Sequence, residues 1–285
     1  MSIPSPKTSP HASAPVAPPL PYTVRRHASG LDVAELGDGP PVVFVHGGGL
    51  GGVHSWASQL ELAARWRLVV PWRLGYGGTP ARGREDFAVD APLVAEVLGE
   101  GAHVVAHSYG AVVATLAAAA RPHAVRSLTL IESGGSDIAR GRPAVDEYER
   151  KMGALAAAMP ADPEQALRAI FAILDPSVAL PSPLPPPLAS WAARLTDFRW
   201  PWEAVTPVDA LVAGGFPILV VSGGQRPMYE EISDALAKAL GAERRIVPAS
   251  HAVQAAGAPF NAVLEGFLAR AEAGRERARS APTAA

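Results

Sequence analysis

Ser108 stands in Ala106-His107-Ser108-Tyr109-Gly110, where the apolar run HVVA ends and a second apolar stretch, AVVATLAAAA, begins. A serine hydroxyl is a poor nucleophile near neutral pH unless a base takes its proton and another group holds that base. Small residues two before and two after the serine suit a sharp strand-to-helix turn, because larger side chains would clash with the elements it joins. Such a turn lifts the hydroxyl above the sheet and aims the first helical amides, beginning with that of Tyr109, at an incoming oxyanion. The competing reading is a plain helix N-cap, a position that serine also favours.

Upstream context separates the two. VVFVHGGGLGG sets a glycine-rich loop directly after a buried-type strand, and its exposed amides can complete an oxyanion hole, with Gly48 the first choice of donor and Gly49 the second. The loop lacks both the Lys-Ser/Thr ending of a P-loop and the spacing of a dinucleotide fingerprint, which disfavours a phosphate cradle. The chain has no cysteine, so disulfides, thiolate metal sites and cysteine nucleophiles are excluded and the options narrow to oxygen nucleophiles. No pair among the eight histidines has metal-ligand spacing with a nearby carboxylate, so neither a metal nor a cofactor is expected.

The elements needed to position these groups follow from hydrophobic periodicity. Two short alternating runs around an SG turn lead to the strand VVFV, then HSWASQLELAARW reads as a helix, RLVVP as a strand and FAVDAPLVAEVLGEG as a helix closed by glycine. HVVA, SYGAVVATLAAAARP, RSLTLIE, PILVVSGG, ISDALAKALG, ERRIVP and a final helix near FNAVLEGFLARAEAG continue the alternation. Continuous apolar strands joined by helices predict an α/β fold with a mostly parallel central sheet covered by helices on both faces. Residues 136–206 interrupt the rhythm with the helical stretches VDEYERKMGALAAAM and PEQALRAIFAIL and the aromatic FRWPW, which predicts a helical lid over the crevice at the strand ends. The core is thus expected at 22–135 and 207–272, flanked by a disordered Pro-rich leader (1–21) and a disordered tail (273–285).

With 285 residues and 48% hydrophobic content the chain can bury a substantial core. Twenty-five basic against 27 acidic residues, in no long run of one sign, argue against nucleic acid as a partner. No stretch approaches the roughly 18 apolar residues of a membrane span. The leader lacks the uninterrupted apolar stretch of a secretory signal, which predicts a cytoplasmic protein. Nothing in the sequence specifies an oligomer.

Taken together, strand-HGGG, strand-AHSYG-helix and the late VPASHAVQ resemble the α/β-hydrolase fold over residues 22–272. The resemblance implies the chain order nucleophile, acid, histidine, with the histidine in a loop after the last strand. His251 occupies that place, and an imidazole can accept the serine proton and return it to a leaving group. The acid departs from the pattern: where many members carry aspartate after the penultimate strand, this chain has Arg226, which cannot accept an imidazole N–H. Glu132 ends the strand after the elbow helix, and parallel strands present their carboxyl ends at one edge, so Glu132 is the expected acid, with Asp137, Glu230 and Glu231 as backups. Trp72 replaces the usual aspartate after Pro71 and is expected to narrow the pocket, with Trp191, Phe198, Trp200 and Trp202 of the lid as further substrate-binding candidates.

The resemblance implies a serine hydrolase acting on a carboxylic ester or lactone of a small, hydrophobic molecule. Ser108 would be the nucleophile, His251 the base, Glu132 its orienter, and Gly48 and Tyr109 the oxyanion donors. A cofactor-free lyase or cyclase and a ligand-binding protein without turnover are the rivals on the same fold. The expected partner is a small-molecule substrate.

Overall fold

Val42, Val43, Phe44 and Val45 are all buried, as are all five residues of Ile218–Ser222, because these central strands are covered on both faces. The computed structural model describes residues 22–280. Among these, β1 (Thr23–Arg26), β2 (Asp32–Leu36), β3 (Pro41–Val45), β4 (Arg67–Pro71), β5 (Ala102–His107), β6 (Val125–Ile131), β7 (Ile218–Ser222) and β8 (Glu243–Ile246) form one sheet in the order β1-β2-β4-β3-β5-β6-β7-β8. β2 runs antiparallel to β1 and β4, and every pairing from β4 to β8 is parallel. The edges are polar: β1 (TVRR) is exposed and β8 reads ERRI, which discourages pairing with another chain.

The helices are α1 (Gly52–Ser55), α2 (Phe87–Val97), α3 (Tyr109–Ala120), α4 (Pro143–Ala157), α5 (Pro163–Leu174), α6 (Pro186–Ala192), α7 (Val208–Ala213), α8 (Pro227–Leu240) and α9 (Ala258–Ser280). Local signals set their limits. Asp86 caps α2 by accepting the amide of Ala88, Asp162 caps α5 by accepting that of Gln165, and Gly241 closes α8 in the left-handed region. Residues inserted between β6 and β7 form α4, α5, α6 and three short 3-10 turns (Asp137–Ala139, Leu195–Asp197 and Pro201–Glu203). A parallel bridge between Glu85 and Phe198 and an ion pair from Arg199 to Asp86 at 3.1 Å fasten this insertion to the core.

The single helix expected at HSWASQLELAARW is instead α1 followed by a 3-10 run, Ala57–Ala64. Trp56 leaves helical geometry (φ −122°, ψ 20°) and packs its ring against Phe44 in the core at 5.0 Å. The disordered tail is corrected in part: α9 continues through Ser280, because AEAGRERARS is rich in strong helix formers and Glu272 pairs with His103 and Arg126. The leader and residues 281–285 lie outside the described residues. No described helix is long and apolar enough to cross a membrane.

Candidate active site

Ser108 sits between β5 and α3 with φ 56° and ψ −123°, a conformation rarely adopted by residues other than glycine. The neighbours permit it. A Cβ on Gly110 would lie 2.4 Å from the His46 carbonyl oxygen and 2.5 Å from that of Val45, so α3 can approach β3 only with glycine there. On the other side, the Gly48 backbone lies so close to Trp191 that a Cβ would meet its Cζ2 at 2.3 Å. Gly48, Ser108, Tyr109 and His251 all line one cavity.

Glu132 follows β6, also at positive φ (41°), with its amide bonded to the Val221 carbonyl of β7. Its Oε1 accepts the Gly223 N–H at 2.8 Å and its Oε2 lies 2.8 Å from His251 Nδ1. His251 Nε2 in turn is 3.0 Å from Ser108 Oγ. These three side chains therefore form a continuous chain of hydrogen bonds from a buried carboxyl to the serine hydroxyl. The backups lie elsewhere: Asp137 accepts the amide and hydroxyl of Thr206, Glu230 pairs with Arg244, and Glu231 accepts the first amides of α4.

Burial drives both ends of the pair toward their neutral forms. The Glu132 carboxyl is raised to about 8 by burial, opposed by the Gly223 amide and reinforced by the charges of Glu230 and Asp175. His251 is lowered to about 4 by burial, with Asp175 opposing and Arg226 adding to the fall. An imidazole that is neutral at pH 7 is able to accept a proton from serine.

Arg73 behind the Gly48 loop and Tyr229 beside His251 carry no signal in the sequence. Tyr229 stacks on the His251 ring (4.6 Å, 12°) with the phenol oxygen 3.4 Å from Nε2. His107 Nε2 bonds to the His251 carbonyl at 2.9 Å, and burial keeps that ring neutral. Arg73, fully buried, donates through Nε to the His46 carbonyl and through Nη2 to that of Gly47, both at 3.0 Å, while pairing with Glu85 and Asp90. It therefore holds the backbone just before Gly48. An arginine in a glycine-rich loop (RLGYGG) gave no hint of burial.

The cavity measures about 380 Å³. Its walls combine α1 and the Gly48 loop with Tyr148, Met152, Ile170, Phe171, Leu174 and Trp191 of the insertion, and among the described residues no Lys, Arg, Asp or Glu lines it. Trp191, Phe198 and Trp200 face this cavity, as does His54. Trp202 does not: it stacks behind Trp200 at 4.7 Å, edge-on to Tyr148. Trp72 is also placed differently from expectation. Its ring lies on Gly52 and Gly77, which have no side chain to keep it away, and it borders a neighbouring cavity with Tyr22, Tyr76 and Arg194. Among the described residues, no group of three or more His, Asp or Glu side chains is arranged to hold a metal ion.

A mostly parallel sheet with a serine at the β5–α3 turn and a histidine after the last strand defines an α/β hydrolase. Residues 42–263 match the alpha/beta hydrolase family, and the chain belongs to it. It is similar to the pimeloyl-(acyl-carrier protein) methyl ester esterase of Aeromonas salmonicida, with 31% identity over 112 residues, covering 39% of this chain and 44% of the relative. The enzyme of the same name from Chromobacterium violaceum is 39% identical over 102 residues, covering 35% of this chain and 40% of the relative. The chain thus spans less than half the length of these curated relatives. In fold it is similar to a hydrolase from Pseudomonas aeruginosa PA01, with a TM-score of 0.61 and 19% identity, covering 87% of this chain and 98% of that one.

Proposed function

We propose that this protein hydrolyses a carboxylic ester or lactone of a small, uncharged, hydrophobic molecule through an acyl-serine intermediate. The observation that carries the reading is the chain of hydrogen bonds from Glu132 through His251 to Ser108, at 2.8 and 3.0 Å, opening into an apolar cavity. Ser108 Oγ attacks the carbonyl carbon while its proton passes to His251 Nε2. The amides of Gly48 and Tyr109 hold the resulting oxyanion, and Glu132 fixes the imidazole by accepting Nδ1–H. Collapse expels the alcohol, protonated by His251; in a lactone the alcohol stays attached to the acyl group. Water, activated by His251, then attacks the acyl-serine, releases the acid and restores the serine.

The insertion acts as a lid that supplies the apolar wall for the substrate, with Trp191, Phe198 and Trp200 as contacts. Two relatives named as methyl ester esterases support an ester substrate. The test is a panel of aryl esters and lactones assayed with the wild type and Ser108→Ala, together with labelling by an uncharged aryl phosphonate and mass spectrometry. Turnover that falls by about 10⁶-fold in Ser108→Ala, with the wild-type label on Ser108, is the expected result. A wild type that neither hydrolyses the panel nor takes the label overturns the reading.

A further inference from the structure

Asp175 follows the last turn of α5, on the insertion, and is buried. Its Oδ2 accepts the backbone N–H of His251 at 2.9 Å, and its Oδ1 accepts the amide and hydroxyl of Ser177. Two residues earlier, the Ile173 carbonyl accepts Arg226 Nη2 at 2.6 Å. The carboxyl end of α5 is therefore held by both loops that surround the site: the one after β7 through Arg226 and the one after β8 through the His251 amide. The sequence singled out Arg226 only for not being an acid.

We propose that Asp175 is a positioning residue of the hydrolytic site: from the insertion it fixes the His251 loop by its backbone amide and keeps a negative charge beside the imidazole, while Arg226 anchors the same helix end. The proposal rests on the hydrolase reading above. Its physical basis is the charge that forms during the reaction. When His251 takes the Ser108 proton, a cation appears in a buried setting and needs a compensating anion. Burial pushes the Glu132 carboxyl up to about 8, so a charge there is costly to hold. Burial opposes ionisation of Asp175 too, but the His251 and Ser177 hydrogen bonds outweigh it and hold the carboxyl below the usual range. Two carboxyls in unlike surroundings thus divide two tasks, orientation by Glu132 and steady charge by Asp175.

The groups facing His251 from the elements around it are Glu132 after β6, Asp175 after α5, Arg226 and Tyr229 at the start of α8, and His107 at the end of β5. Asp175 favours the protonated ring and Arg226 disfavours it. Asp175 also favours the protonated form of Glu132. Whichever member of the pair limits the rate on the acid side, removing the Asp175 charge moves that limb to lower pH. Where the imidazole sets that limb, removing the Arg226 charge moves it to higher pH.

The experiment measures the rate at which the aryl phosphonate labels Ser108 from about pH 3 to 10, a range that spans the His251 value of about 4 and the Glu132 value of about 8, in the wild type, Asp175→Asn and Arg226→Met, with thermal melts to check folding. Labelling needs the base and the nucleophile but no particular ester. Asp175→Asn keeps an acceptor oxygen without its charge and is expected to label about ten- to a hundredfold more slowly, the loss of one charge-assisted hydrogen bond. Its acid limb is expected to move down while that of Arg226→Met moves up. Wild-type behaviour in Asp175→Asn, or limbs that stay put or move together, overturns the proposal, since a merely structural tie gives no opposed shifts. Should Asp175→Asn not fold, Arg226→Met carries the test by the sign of its shift. A wild type that takes no label overturns the hydrolase reading, and the proposal with it.

Discussion

Replacing Glu132 by glutamine is expected to move activity and stability in opposite directions. The glutamine Oε1 can still accept the Gly223 N–H, which the carboxylate accepts at 2.8 Å, leaving the amide NH₂ to face His251 Nδ1. That group only donates, so Nδ1 must give up its proton and Nε2 must carry one. Nε2 is the atom 3.0 Å from Ser108 Oγ, and once protonated it has no lone pair for the serine proton. A wrong tautomer in otherwise intact geometry costs about 10⁴ in kcat, read at about pH 9, where the wild-type carboxyl is ionised and accepts Nδ1–H. Stability follows from linkage. Glu132 ionises at about 8 when folded against an ordinary value of 4.5, so between those values the folded chain keeps a proton that the unfolded chain has released. Stability therefore falls as pH rises through this window, and the whole cost is present above pH 8. It amounts to at most about 5 kcal/mol. Glutamine does not ionise and escapes it, while the depressed His251, common to both proteins, drops out of the comparison. Urea titrations at pH 5, 7 and 9 are expected to show the variant gaining on the wild type by a few kcal/mol over the range. A variant that keeps more than about a tenth of wild-type kcat, against the large loss that a wrong tautomer brings, or a stability difference that does not change with pH, refutes the reasoning.

Gly110→Ala places a Cβ 2.4 Å from the His46 carbonyl oxygen, a backbone atom, so unfolding free energy is expected to fall by about 1–3 kcal/mol and Ser108 labelling to slow with it. Arg73→Met leaves the buried Glu85 and Asp90 without their cation and frees the Gly47 carbonyl. It should cost about 3–5 kcal/mol in urea unfolding, and a change below about 1 kcal/mol would contradict that account. In a series of aryl esters, kcat/KM is expected to rise about fourfold per added methylene until the cavity is filled, at about 0.8 kcal/mol for each buried CH₂. A carboxylate at the end of the same chain should cancel the gain, because no cation lines the cavity among the described residues; a charged substrate preferred over its neutral analogue would count against an apolar pocket.

The central strands could be read from the sequence because parallel strands covered on both faces are near-continuous apolar runs, as VVFV, VVA and ILVV are. The turn at Ser108 was visible for a similar reason, since the close approach of α3 to β3 admits little beyond glycine at 110. The aromatic residues behaved otherwise. Trp72 and Trp202 are as prominent in the sequence as Trp191, yet which of them faces the cavity depends on what each finds to pack on: two glycines for Trp72 and the ring of Trp200 for Trp202. No local period encodes that choice. Asp175 and Arg226 were hidden for the same reason, because each acts across more than 50 residues of chain on a backbone atom, Arg226 on Ile173 and Asp175 on His251.

The position of Glu132 shows how a carboxyl that follows β6 reaches the imidazole of His251. β6 and β7 are neighbours in register, with Ile131 opposite Val221, so a residue just after β6 stands beside the loop that follows β7. Glu132 uses that proximity twice: its amide bonds to the Val221 carbonyl and its Oε1 takes the Gly223 amide. A carboxyl moved one strand over thus still draws on the β7 loop for support, and reaches the same imidazole nitrogen at 2.8 Å. The move has a consequence for residue 226. A position that no longer has to carry a negative charge toward His251 can hold a positive one, and Arg226 uses it to bind the end of α5, the helix end that leads to Asp175. Arginine at 226 and glutamate at the end of β6 thus support the same histidine loop from two sides. Restoring aspartate at 226 in a Glu132→Gln background should then recover little activity, because it also removes the anchor on α5.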